Sequence, residues 1–358
     1  MERIKAIEKL LSDIQSEEEN TFVCDKKAIL SAYQNTDVSQ PGIAIKLLSV
    51  FGGFLASLAL FGFMGIVGVF DSEYGILAVG ICAIIFSWIL NKKVDNFIFD
   101  TFSVSIFIIG VASLAFGLLN LNLDENTVIF IIIAIALASL YVMQNYILSF
   151  VSTVTIGACL LTWIISNDLY DFIHIYITFY VLLMGFWFLC EAKIMNSSAK
   201  LSLLYSPLRI GIVVSFLIGL ITLGIRGLIP IDQNYIWISS IFIWAGVLFL
   251  VHNIIGVVGL EESKHKSAIY GLTVLFLLPT IFCPSISGAI LIVLLGFYVN
   301  HKTSFIIGIV ALVYFVSQYY YDLSFTLLTK SLILISSGAV LLVFYMFIQK
   351  MLKGNEKI

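Results

Sequence analysis

Charge is scarce in this chain. Only 11% of its residues are Asp, Glu, Lys or Arg, against about a quarter in an ordinary soluble domain. With 60% of the residues hydrophobic, water could not cover the apolar surface, so a water-soluble globule is excluded and lipid must be the solvent. The net charge of −3 and the absence of any dense basic cluster argue against a nucleic-acid partner, which would need a phosphate-binding surface. Cysteine is sparse too: Cys24, Cys82, Cys159, Cys190 and Cys283 are odd in number, form no CxxC pair, and four lie in apolar segments. Reduced, buried thiols are expected rather than a disulfide framework.

Catalytic signatures are also missing. The sequence holds no HExxH, no GxSxG, no Walker lysine loop and no GxGxxG after a strand, so no catalytic residue, cofactor or metal is assigned. Glu261 and His265 are spaced i,i+4 but fall in the charged loop EESKHK, and two ligands alone are poor evidence for a metal. No cleavable signal peptide is visible, because the first forty residues are polar.

What fills the chain instead is a series of long apolar runs. They cover Lys46–Phe70, Tyr74–Leu90, Phe97–Leu119, Asn126–Met143, Asn145–Ile165, Asp171–Cys190, Ser206–Ile225, Tyr235–Gly259, Ser267–Cys283, Ser285–Asn300, Thr303–Tyr319 and Ser324–Gln349. A helix needs roughly 20 residues to cross about 30 Å of hydrocarbon, so these runs predict an all-α integral membrane protein with a bundle of about 12 transmembrane helices. The break at Met143–Tyr146 carries no charge, and the ninth and tenth runs are short for full crossings. A barrel is excluded because its strands would be short and alternating in polarity, whereas helices satisfy their own backbone in lipid.

Charge placement sets the expected orientation. With the N-terminus inside and every run crossing, all of the 19 basic residues except Arg226 and Lys330 fall on the cytoplasmic side, as the positive-inside rule requires. Both termini are then cytoplasmic. Residues 1–41 read as a cytosolic segment, 42–349 as the transmembrane domain and 350–358 as a cytosolic tail. Within the first segment Ile4, Ile7, Leu10, Leu11 and Ile14 recur at helical spacing between charges. This predicts a short amphipathic helix, docked on the bundle, lying in the interface or binding a partner.

Polar groups inside apolar runs are the candidate functional residues, since each costs a few kcal/mol to place in lipid. Lys330, followed by Ser331, lies on the outer side of the last run; its ammonium either snorkels outward, binds an anionic headgroup, or pairs with an acid such as Asp322, Asp168 or Asp171. Asp100 falls where a carboxylate would favour a helix N-terminus. His252 and Asn253 sit near the cytoplasmic end of the eighth run, where a histidine can relay protons or hydrogen-bond locally. His174, Tyr176 and Tyr180 suggest an interfacial aromatic belt. Pro279, Pro284 and Gly288 suggest a tight outer turn or a broken helix. Gly211, Ser215 and Gly219 form a small-residue seam, as do Gly52–Ala56 and Gly53–Ser57; such seams serve packing within the chain or self-association.

The stretch from Gly288 to Leu342, GAILIVLLGFYVNHKTSFIIGIVALVYFVSQYYYDLSFTLLTKSLILISSGAVLL, resembles the bacterial multi-pass family called domain of unknown function 4401. The likeness rests on Tyr320, Tyr321, Leu323, Thr326, Leu327, Leu328, Lys330, Ser331, Gly338, Leu341 and Leu342. KLLSVFGGFLASLALFGFMG, from Lys46, is similar to the family's first membrane segment. The resemblance implies a bacterial cytoplasmic membrane location and a small membrane or envelope partner with a GDYxxLxY signature. It brings no biochemical activity. The expectation is a non-enzymatic component of a membrane complex or an envelope-maintenance protein, with a small partner protein or as a homo-oligomer. The alternative is a secondary transporter or lipid-handling protein using Lys330, Asp100 and His252.

Overall fold

Apolar runs of this length leave the backbone one way to satisfy itself in lipid, and the computed structural model is helical over most of the residues it describes, with no strand among them. Those residues are 43–68, 72–93, 97–143, 145–225, 230, 235–258 and 263–322, with separate positions at 328, 331, 335, 338 and 342. The helices are α1 (Ile43–Ile66), α2 (Glu73–Lys93), α3 (Phe97–Asn120), α4 (Glu125–Val142), α5 (Tyr146–Ser166) and α6 (Ile173–Leu189). They continue with the short α7 (Glu191–Ser197), then α8 (Ala199–Gly224), α9 (Trp237–Val258), α10 (Ser263–Leu277), α11 (Pro284–Tyr298) and α12 (Lys302–Asp322). Eight of the described helices are long and apolar enough to cross a membrane. The amphipathic segment near the N-terminus and the C-terminal tail lie outside the described residues.

Local chemistry sets the breaks. At the uncharged Met143–Tyr146 break, Met143 is extended and the Asn145 side chain caps α5, accepting from the Ile147 N–H at 2.8 Å. Asn122, Asp168 and Asn300 end three helices in the left-handed region, with φ of 56°, 55° and 54°. In each case the following N–H reaches the carbonyl five residues back, as in Leu123 to Leu118, Leu169 to Ile164 and His301 to Gly296. The ninth and tenth runs meet in a compact turn: a single 3-10 turn at Leu278–Thr280 ends one helix and Pro284 opens the next at its first position. Of the two sequence readings, the compact turn rather than a helix broken in mid-span fits this geometry.

Side-chain pairs order the helices. Ser87 and Ser103 exchange hydrogen bonds across α2 and α3, and Gly80, Gly110 and Gly117 bring the two backbones into contact. Trp88 donates to Ser139, Lys200 donates to the Tyr141 carbonyl, and Trp187 bonds Tyr205. These links gather the C-terminal ends of α2, α4 and α6 with the N-terminal end of α8 at one end of the bundle. Lys193, Lys200 and Arg209 are there, and Lys302 opens α12 beside the α11 terminus that Gly296 packs against Phe305. At the opposite end the Asn126 and Asn167 amides pair reciprocally at 3.1 and 2.7 Å, among Asp124, Glu125 and Asp168.

Three clusters of buried apolar side chains result. The largest joins Ile177, Met184, Val213, Phe216, Leu220, Ile243, Ile292 and Phe315 with Leu161 and Ile164 of α5. The other side of α5 supplies Leu148 to a cluster with Ile84, Val104 and Phe107, and Cys159 to one with Val128, Ile129 and Ile132.

Candidate functional site

Among the described residues, those singled out in the sequence do not converge. Lys330 lies outside the described residues. Ser331 is exposed, and its hydroxyl donates to the Leu328 carbonyl at 2.8 Å, an ordinary way for a serine to satisfy itself in a helix. Asp100 stands half-buried in the first turn of α3, where the helix dipole favours a carboxylate. His252 is exposed, with Nδ1 2.8 Å from the Tyr270 hydroxyl, and Asn253 beside it is half-buried. That pair ties α9 to α10 at the edge of the bundle.

His174, Tyr176 and Tyr180 correct the belt expectation. They face the interior, with exposures of 6%, 4% and 3%. His174 Nδ1 is 2.7 Å from the Ser239 hydroxyl on α9, and Tyr176 donates to the Ser215 carbonyl at 2.9 Å. The reason is packing: Gly157 and Gly219 leave the space that the Tyr180 hydroxyl and the Tyr176 ring fill. The Gly211–Ser215–Gly219 seam is therefore used inside the chain, against Thr153 and Tyr176. Gly52 and Ala56, by contrast, are exposed, and among the described residues nothing stands within 4 Å of a Cβ placed on Gly52.

A site the sequence did not mark lies at the basic end. Arg209 of α8 is only 6% exposed. Its Nη1 donates to Glu191 Oε2 at 3.2 Å and to the Tyr205 hydroxyl at 3.4 Å, and its guanidinium lies over the Tyr205 ring, 4.8 Å from the centroid. Tyr205 is itself fixed: its hydroxyl donates to the Trp187 carbonyl at 2.7 Å, the Trp187 indole donates back to the Tyr205 carbonyl, and the rings stack at 5.9 Å. Arg209 Nε is buried with no partner among the described residues. Chemically this is a desolvated cation held by one carboxylate and an aromatic face, a clamp between α8 and the α6–α7 corner. Nothing in its sequence neighbourhood pointed to it. Pro207 made the run appear to begin at Ser206, whereas α8 starts at Ala199 and carries Pro207 within it.

His301 stands close by, in the turn before α12, and caps that helix: its Nδ1 accepts from the Ser304 N–H at 3.2 Å. Burial pushes its pKa below the ordinary 6.5, the Arg209 charge adds to that, and Glu191 opposes it. Because the unfolded chain takes the proton first, this contribution to stability is complete above about pH 6.5 and is lost as pH falls from there through the lower folded value. Thermal unfolding in detergent at stepped pH checks this; His301→Asn, which keeps a capping side chain, should flatten the dependence in that window. An unchanged slope in the variant would assign the effect elsewhere.

No group of three His, Cys, Asp or Glu side chains among the described residues is placed to hold a metal. The family model for Domain of unknown function (DUF4401) matches residues 43–351. The chain belongs to the DUF4401 family. The match begins with α1, and the polar segment before it lies outside the matched residues. Searches of curated proteins and of solved structures give no match.

Proposed function

We propose that this DUF4401 protein is a non-enzymatic component of a membrane complex in a bacterial cytoplasmic membrane, with both termini in the cytoplasm and a role in maintaining the envelope. The orientation follows from the basic end of the bundle facing the cytoplasm. The observation that carries the reading is how the interior polar groups are used. Ser105, Ser139, Thr153 and Thr155 donate to carbonyls one turn back; Ser87 and Ser103 close on each other. The His174, Tyr176 and Arg209 contacts run from helix to helix. The contacts between helices hold the bundle together, and the hydroxyls bonded within their own helix are not free to line an aqueous route. The open Gly52–Ala56 face of α1 offers a place for a second membrane helix to approach.

Affinity purification of the full chain in mild detergent should recover a stoichiometric small partner protein or a defined multimer, and Gly52→Leu should weaken that recovery. Monomer alone, with no stable partner, would overturn the reading. The transport alternative predicts a different result. Under the proposal Lys330→Met and His252→Ala leave solute and lipid distribution unchanged, since His252 lies at the α9–α10 edge. A changed distribution in both variants would favour transport.

A further inference from the structure

The bundle's lipid-facing surface is interrupted by an apolar groove of about 360 Å³, within the roughly 300–1,000 Å³ range of small-molecule sites. Leu182, Gly185 and Phe186 of α6 form one wall, Ala245 and Phe249 of α9 the other, and Leu295 of α11 contributes to the floor. Leu182, Phe186 and Phe249 are 68%, 54% and 57% exposed, while Leu295 is 2% exposed, so the walls stand out from a closed base. Among the described residues, nothing lies within 4 Å of a Cβ built on Gly185. The groove exists because that position carries no side chain.

We propose that this groove holds one acyl chain of an anionic phospholipid from the leaflet at the basic end of the bundle. Its chemistry admits hydrocarbon only. The one hydroxyl in its lining, on Thr178, already donates to the His174 carbonyl at 2.7 Å. Its length matches a single leaflet. It runs from Thr178 to Leu189, roughly 16 Å at about 1.5 Å per residue, or about half of a hydrocarbon core near 30 Å. Beyond Thr178 the two walls are drawn together by the His174–Ser239 contact, so a partner helix, which needs the full span, finds the path closed. The open end supplies the complementary charge: exposed Lys193 follows on α7 directly after α6, and exposed Lys302 opens α12 after α11. Headgroup attraction there and chain burial below describe one diacyl lipid at a fixed place. The inference does not depend on the chain acting in a complex.

The test uses the full chain in vesicles containing trace phosphatidylglycerol with a photoreactive diazirine in mid-chain. Cross-links are mapped by peptide mass spectrometry. The expected result is labelling concentrated on the segments 182–189 and 242–249, abolished by Gly185→Leu, whose Cβ meets no described atom within 4 Å and whose longer side chain takes up the groove. The same probe built on phosphatidylcholine should label more weakly, by about fivefold for each engaged lysine, and Lys193→Gln with Lys302→Gln should remove the difference. Labelling spread evenly over the lipid-facing helices, labelling indifferent to Gly185→Leu, or equal labelling by the two lipids would each overturn the proposal. So would a protein partner cross-linked along this groove. Thermal unfolding of Gly185→Leu alongside the parent keeps a folding defect from being read as a lost site.

Discussion

Glu191→Ala should destabilise the bundle more than Arg209→Met does, and the two together should cost less than Glu191→Ala alone. Removing one member of a buried ion pair strands the other, at about 3–5 kcal/mol. Here the two members are unequal: the Arg209 side chain is 8% exposed and that of Glu191 35%. Losing the carboxylate leaves a cation in a closed site with the Tyr205 hydroxyl and the Tyr205 and Phe188 rings beside it, and a cost near the lower end of that range is expected. Losing the arginine leaves a carboxylate that water reaches. Methionine in place of Arg209 fills the space beside Tyr205 and Phe188 without a charge, so the double variant escapes the stranded cation. Thermal unfolding of the purified chain in detergent reads all three. Additive losses in the double variant would mean that the pair does not act as a unit.

The next largest effect is expected where backbones touch. A Cβ at Gly80 would stand 2.7 Å from the Leu114 amide nitrogen, and one at Gly296 would stand 2.6 Å from that of Phe305. Neither neighbour is a side chain that can turn aside, so Gly80→Ala and Gly296→Ala force α2 from α3 and α11 from α12. Overpacking a tight contact typically costs about 1–3 kcal/mol, and the upper part of that range applies when the obstacle is main chain. Gly185→Ala, with nothing in its way, is the control and should leave stability unchanged. Equal melting temperatures for all three variants would show that the helices separate without penalty.

How much of this could be read from the sequence follows from what each signal depends on. Span positions depend on local hydropathy alone, and the run from Phe97 to Leu119 became a helix from Phe97 to Asn120. The Asn145 cap was visible only as a polar interruption, yet it marked the break correctly. The start of α8 was misplaced by seven residues because Pro207 reads as a boundary, while in lipid a proline can sit within a helix that neighbours support. Inward or outward facing was not legible. On a helix that is apolar all round, hydropathy has no periodic component to say which side meets protein, so Tyr176 and Tyr180 looked like belt residues. Arg209 escaped for a related reason: its partner Glu191 is 18 positions away, across a corner that no pattern announces. The family resemblance, drawn from the C-terminal stretch, held over residues 43–351, but Lys330, which it brought forward, lies outside the described residues.

The two-sided burial of α5 has an architectural consequence. Leu148 and Cys159 belong to the neighbourhoods of α2, α3 and α4, while Leu161 and Ile164 belong to the neighbourhood of α6, α8 and α11. A lesion in α3 or in α11 should loosen its own half and spare the other. A bulky insertion midway along α5 should unseat both halves at once, as removing a party wall would damage two houses.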